Sequence, residues 1–587
     1  MYIIPPMAVQ TIDKRSKPMS SPIISFQNFG FQYTAQAEPT LYEINLDIYP
    51  GERVLVAGSS GSGKSTVASC INGLIPFAYP GQSTGKLLVD GKEVKESSIF
   101  EMSRSVGTVL QDTDGQFIGL TVGEDIAFAL ENECVDQEQM KLTVDEVSRL
   151  VDIDHHLQHA PHELSGGQKQ RVSLAGVMVD EVKVLLFDEP LANLDPAAGK
   201  NTIELIEKVQ ERTKAAVIII EHRLEDVLWR SVDRIVLMHE GRIVADQRPE
   251  ELLCSALLTE HGIREPLYLT ALKYAGVTVT PAMSPAHVDS LKLTDEQKGM
   301  VRTWYQSGKE GKMQSGKAEP LLQVEHLTFG YQQGKNTLED IDFTIYKGEM
   351  ISIVGRNGAG KSTLAKLICG FELPVSGRIL LEGRDLLNDT IRERAEKIGY
   401  VMQNPNQMIS KPMIWDEVEL ALLKMGMTEE ERRERVEETL KICGLYPFRK
   451  WPVSALSYGQ KKRVTIASIL VCRPQILILD EPTAGQDYFH YTEIMEFLVE
   501  LNRQGYTILM VTHDMHLMLE YTPRAIVFSE GKLLADTSAA HVLNSPSLVE
   551  KANLKETSLY TLSVSCGVED PQAFTERFIG YERKEAR

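Results

Sequence analysis

Short apolar runs broken by glycine-rich or acidic turns mark this chain, and the same runs occur twice. RVLVAG at 53–58 and MISIVG at 350–355 are apolar throughout, without polar alternation, which predicts strands buried on both faces. Each is followed by a glycine-rich turn and then by an apolar stretch that continues as a helix. VKVLLFDEP and QILILDEP predict two more buried strands, each ending in paired acids, and AVIII and ILMV predict strands ending just before His222 and His513. Strand, turn and helix in succession predict an α/β fold with parallel sheets. No run of 18 apolar residues occurs, so no membrane-spanning helix is expected. The first twenty residues lack the apolar core of a signal peptide.

The repetition has a register. Lys64 and Lys361 lie 297 residues apart, Gln111 and Gln403 292, Ser165 and Ser457 292, Asp188 and Asp480 292, and His222 and His513 291. So constant an offset is duplication, not coincidence. The change from 297 to 292 falls near PFAYPGQSTG in the first half, which reads as an inserted loop. The expected organisation is an N-terminal extension at 1–21, a first domain at 22–250, a connecting region and linker at 251–319, a second domain at 320–545 and a C-terminal extension at 546–587. Within the connecting region, ELLCSALL and PLYLTALKYAGVTV are apolar enough to fold onto the first domain. The polar stretch after residue 288 suits a flexible linker.

A chain of 587 residues exceeds one compact core, in keeping with two large domains. An apolar fraction of 43% with 25% charged residues argues against extensive disorder. The net charge of −20 repels nucleic-acid backbones, and no basic patch offsets it, so no nucleic-acid partner is expected. Seven cysteines, Cys70 to Cys566, show neither zinc nor disulfide spacing and read as reduced thiols.

The chemistry lies in the turns. Gly58, Ser59, Ser60, Gly61, Ser62, Gly63, Lys64, Ser65 and Thr66 form a Gly-x-x-x-x-Gly-Lys-Ser loop between strand and helix. Gly355, Arg356, Asn357, Gly358, Ala359, Gly360, Lys361, Ser362 and Thr363 form another. Such loops turn backbone N–H groups around phosphates at a helix N-terminus. Lys64 and Lys361 then meet the β and γ phosphates, while Ser65 and Ser362 can hold Mg²⁺. Acids at a strand's carboxyl end lie where ligands bind an α/β sheet. Asp188 and Asp480 would support the metal shell, and Glu189 and Glu481 would polarise an attacking water.

The two halves resemble the nucleotide-binding domains of the ABC ATPase family over roughly 450 residues, as a count of the matched spans. The family's marker stands as Leu164-Ser165-Gly166-Gly167-Gln168 and, with one change, as Leu456-Ser457-Tyr458-Gly459-Gln460. The resemblance implies two P-loop domains, each with a RecA-like core, an antiparallel β subdomain and a helical subdomain. It implies that ATP and Mg²⁺ are bound, and that Ser165, Gly166, Gly167, Gln168, Ser457, Gly459 and Gln460 contact ATP held by the opposite half. By the same resemblance Gln111 and Gln403 join the metal shell, His222 and His513 contact the γ-phosphate, and Tyr33 and Tyr331 stack on adenine. Asp195 and Asp487 link the two sites. Tyr458 departs from the marker, yet neither half lacks its lysine, acids or histidine, so two hydrolytic sites are expected.

Among twin-cassette relatives, sugar-importer ATPases commonly lack catalytic residues in one site, translation factors carry a basic arm, and recycling factors carry iron–sulfur cysteines; none of these features is present. QDTDGQFIG and QNPNQMIS are similar to the pattern after the loop glutamine in energy-coupling-factor importers. That resemblance implies a transmembrane scaffold, a separate substrate-capture membrane protein and a place on the cytoplasmic face of the membrane. A fused pair resembles the type associated with thiamine-related pyrimidines, with cobalt, nickel, biotin and riboflavin left open. A twin-cassette ATPase acting on ribosomes or nucleic acid is the alternative.

Overall fold

The computed structural model describes residues 21–111, 113–192, 194–308, 319–332 and 334–585. Residues 1–20 of the expected N-terminal extension, 309–318 of the expected linker and the last two residues of the C-terminal extension lie outside them. The chain divides into two compact units: residues up to 194 with 198–301, and 195–197 with 302–587.

In the first unit β1 (Ile24–Tyr33), β2 (Leu41–Ile48), β4 (Gly81–Val89) and β5 (Lys92–Glu93) form an antiparallel sheet in the order β2-β1-β4-β5. The second sheet joins β3 (Arg53–Gly58), β6 (Val106–Val109), β7 (Val184–Asp188), β8 (Ala216–Ile220), β9 (Arg234–His239) and β10 (Arg242–Gln247) in the order β10-β9-β3-β8-β7-β6. All its pairings are parallel except that of β9 with β10. Every residue of β3 and β8 is buried, as continuous apolar runs require when helices cover both faces. The register places β3, β8 and β7 side by side, with Val56 opposite Ile220 and Ile220 opposite Asp188. Three chemistry-bearing turns therefore leave one sheet edge together.

The second unit repeats this plan. β11 (Pro320–Phe329), β12 (Leu338–Tyr346), β14 (Ser376–Leu381) and β15 (Arg384–Asp385) form the antiparallel sheet. β13 (Met350–Gly355), β16 (Ile398–Val401), β17 (Ile476–Asp480), β18 (Thr507–Val511), β19 (Arg524–Ser529) and β20 (Lys532–Ser538) form the mixed one, in the order β16-β17-β18-β13-β19-β20. A helical region adds its own core, in which Val418, Val436, Leu440 and Val464 are fully buried.

Three segments depart from or extend the sequence reading. PFAYPGQSTG is not a free loop: a one-turn helix, Leu74–Phe77, precedes β4, which has nine residues where β14 has six. The connecting region folds on the first unit through Leu267–Tyr274, whose Leu269, Ala271 and Leu272 are buried and whose Leu267 N–H donates to Glu225 (2.9 Å). Part of the polar stretch expected to be flexible is a helix, Asp295–Gln306. In the second unit Trp304, near its end, packs edge-on against Phe574 and Tyr581 of the C-terminal helix Pro571–Glu585. One apolar face on an otherwise polar helix suffices for that docking.

Candidate functional site

Both glycine-rich turns close around their lysine. Gly63 and Gly360 stand at the N-caps of Lys64–Ile71 and Lys361–Cys369 with φ of 100° and 98°, a left-handed conformation that favours glycine. A Cβ there would meet Leu41 Cδ2 at 2.8 Å or Leu338 Cδ2 at 2.5 Å. Lys64 Nζ donates to the carbonyls of Gly58 and Ser59 (both 2.8 Å), and Lys361 Nζ to those of Gly355 and Arg356 (2.7 and 2.9 Å). Burial lowers the pKa of Lys361. The remaining residues, Ser60, Gly61, Ser62, Ser65 and Thr66 in one loop and Asn357, Gly358, Ala359, Ser362 and Thr363 in the other, line the same turns. Among the described residues Ser62 Oγ is buried with no hydrogen-bond partner.

The paired acids end their strands as expected. Asp188 bonds the Ser65 hydroxyl, and burial with the adjacent Glu189 pushes its carboxyl up to about 6. Among the described residues its Oδ1 is buried without a hydrogen-bond partner, so the pair fits a hard cation. Asp480 is likewise raised by burial, opposed by hydrogen bonds from Tyr400 (2.9 Å) and Ser362. Glu189 and Glu481 have φ of 49° and 46°, and their N–H groups bond Ile220 O and Val511 O of the neighbouring strand (both 2.9 Å). Burial raises the pKa of Glu189 as well. Gln111 Nε2 donates to Glu189 Oε2 at 2.5 Å. His513 Nδ1 lies 2.7 Å from Glu481 Oε1, whereas His222 Nδ1 is 3.9 Å from Glu189 Oε1.

The other expected residues fall in three places. Tyr33 and Tyr331, at or just beyond the ends of β1 and β11, reach the loop threonines Thr66 and Thr363 (3.2 and 3.4 Å). Ser165 and Ser457 cap the helices Gly166–Met178 and Tyr458–Leu470 in capping boxes with Gln168 and Gln460. Among the described residues, a Cβ on Gly166 would meet nothing closer than Leu194 Cδ2 at 3.8 Å, and Tyr458 at the matching place is partly exposed. Gly167 and Gly459 follow one residue on. Asp487 caps Tyr488–Arg503, and Asp195, buried, groups with the second unit. Gln403 is exposed.

A family described as ABC transporter matches residues 41–192 and 338–484. This chain belongs to the ABC transporter family. It is an ATP-binding component, an ATPase whose turnover is coupled to transport, with a duplicated cassette. A second family, described as ATP-binding cassette cobalt transporter, matches residues 255–329. Proteins named as ABC transporter ATP-binding proteins are similar along almost the whole chain: one from Clostridium perfringens (59% identity, 96% of this chain and 98% of that protein), one from Enterococcus faecalis (58%, 96% and 99%) and one from Staphylococcus aureus (53%, 97% and 100%). A solved structure titled as cbiO1 from Clostridium perfringens, part of the ABC transporter complex cbiONQ, shares 36% identity over 40% of this chain and 95% of that one, with a TM-score of 0.38.

Three residues of this ABC ATPase, Lys462, Gln170 and Tyr400, escaped the sequence reading. Lys462 is 1% exposed; its Nζ donates to the carbonyls of Met402 and Gln403 (2.9 and 2.7 Å), and burial pushes it down to about 8. The matching Gln170 donates to Pro190 O and accepts from Thr202 instead. Tyr400 holds Asp480, where the first half has Thr108. Glu221 and Arg223 flank His222, where the second half has Thr512 and Asp514. The different neighbours of the two histidines were visible in sequence, but their partners were not.

Proposed function

We propose that this chain is the energising subunit of an importer of the energy-coupling-factor type, working with a transmembrane scaffold and a separate substrate-capture membrane protein. The observation that carries the reading is two full sets of phosphate loop, paired acids and histidine, with an apolar pair left in solvent just past one loop glutamine. That pair is Ile118 and Leu120, 66% and 82% exposed. An amphipathic helix of a membrane partner would bury it and feel movements of Gln111. Such a partner holds the ATPase to the cytoplasmic face of the membrane.

Within each site Glu189 and Glu481 accept a hydrogen bond from the attacking water, and His222 and His513 steady the γ-phosphate. Lys64 and Lys361 neutralise phosphate charge, and Tyr33 and Tyr331 stack on adenine. Mg²⁺, held by Ser65, Gln111 and Asp188 and by Ser362, Gln403 and Asp480, would neutralise charge between the β and γ oxygens. The marker residues 165–168 and 457–460, with Asp195 and Asp487, serve the opposite half's ATP. Fusion keeps that partner at high effective concentration.

The capture protein selects the cargo. A thiamine-related pyrimidine or another vitamin precursor suits the fused type, and cobalt is brought in by the family described for residues 255–329. Purification of the tagged chain from detergent-solubilised membranes should yield two membrane proteins in fixed ratio. Sedimentation with ribosomes in high salt, without membrane proteins, would overturn the importer in favour of a ribosome-acting ATPase. Uptake of labelled cobalt and labelled thiamine precursor by cells with and without the chain decides the cargo.

A further inference from the structure

We propose that Glu221 is a positioning residue of the first ATP site: it ties the histidine-bearing turn to the turn after the catalytic acid and holds His222 back from Glu189. Glu221 follows β8, and its side chain is fully buried. One carboxylate oxygen accepts from Leu191 N–H (3.1 Å) and the other from the N–H groups of His222 and Arg223 (2.9 and 3.1 Å). Arg223 closes the brace from the other side by donating to Leu191 O. Gln170 holds the adjoining Pro190 O at 2.5 Å. Three side chains thus fasten the 190–191 turn.

The consequence is read at the histidine. His222 Nδ1 stands between two carboxylates, 3.7 Å from Glu221 and 3.9 Å from Glu189, beyond hydrogen-bond range of either. In the second unit Thr512 occupies the place of Glu221. Its side chain is too short to span to the turn after Glu481; it accepts from Asp514 N–H (2.9 Å) and contacts Glu481 Oε2 (3.3 Å). There His513 closes to 2.7 Å on Glu481. Strands, acids and histidines are shared by the two sites, and of the residues that differ, the one before the histidine has the carboxylate that fastens the histidine's own turn to the turn after the acid. The first site is built as the slower one, and Glu221 sets the difference.

This rests on Glu189 and Glu481 being the hydrolytic acids. The test is steady-state ATP turnover by the purified full chain with Mg²⁺. Glu221→Thr is compared with its parent, both in the otherwise unaltered chain and with the second site silenced by Glu481→Gln. Thr512→Glu is compared likewise, with and without Glu189→Gln. Glu221→Thr is expected to raise kcat about threefold or more and Thr512→Glu to lower it as much, with KM for ATP changing less than kcat, since the loop lysines and backbone that hold most of the phosphate charge are unaltered. An unchanged or reduced kcat for Glu221→Thr overturns the proposal; if that variant fails to fold, an unchanged kcat for Thr512→Glu does so. A Glu189→Gln, Glu481→Gln chain that still hydrolyses ATP overturns the assignment of the sites themselves. An inactive double variant with unresponsive swaps overturns the brace alone.

Discussion

Glu189 and Glu481 show how strongly single residues are constrained here. Left-handed backbone at a non-glycine residue costs on the order of 1–3 kcal/mol, and both glutamates adopt it immediately after a buried strand. One backbone hydrogen bond to the next strand holds each there and turns its carboxylate past the sheet edge. Lys462 carries another constraint: an ammonium with almost no exposure is tolerable because two carbonyls accept from it. The cysteines illustrate burial without function. Cys70, Cys369 and Cys443 are buried, the last two with thiols pushed up to about 12, while Cys134 is exposed. Thiolate is the reactive form. Brief treatment of the native chain with a thiol reagent at neutral pH is therefore expected to label Cys134 first and to spare those three until denaturant is added, as peptide mass spectrometry would read.

At the scale of elements, caps separate stability from catalysis. Ser457 caps Tyr458–Leu470 and Thr428 caps Glu429–Ile442, each in a capping box. Ser457→Ala and Thr428→Ala should each cost about 1 kcal/mol, seen as similar drops in the calorimetric melting temperature. Only Ser457→Ala should also reduce ATP turnover, because only that serine belongs to the marker. The elements themselves were largely legible: unbroken apolar runs became buried strands and glycine-rich stretches became turns from strand to helix closed on their lysines, since both depend on local sequence. The helix Asp295–Gln306 was not. Its polar composition resembles a linker, and its order comes from Trp304 meeting Phe574 about 270 residues away by sequence count, a pairing no local pattern displays.

At the scale of the whole molecule, the proposed attachment to the membrane through a protein partner has a direct test. No helix among the described residues is long and apolar enough to cross a bilayer, and a net charge of −20 opposes approach to anionic lipid. Flotation with anionic vesicles alone should leave the chain in the dense fraction at any salt concentration. Vesicles carrying the co-expressed scaffold should float it, and Ile118→Asp with Leu120→Asp should weaken that flotation.

By itself the sequence determined the duplication, the α/β class and the place of both glycine-rich turns, because register, apolar runs and motif spacing are properties of contiguous residues. Only the tertiary structure decided how each histidine stands to its acid. His222 and His513 occupy matching slots, but their distances to the acids depend on Glu221 and Thr512 and on how far each side chain reaches toward the adjoining turn. A buried carboxylate must find donors, and those it found belong to a segment thirty residues away in sequence and to the histidine's own turn.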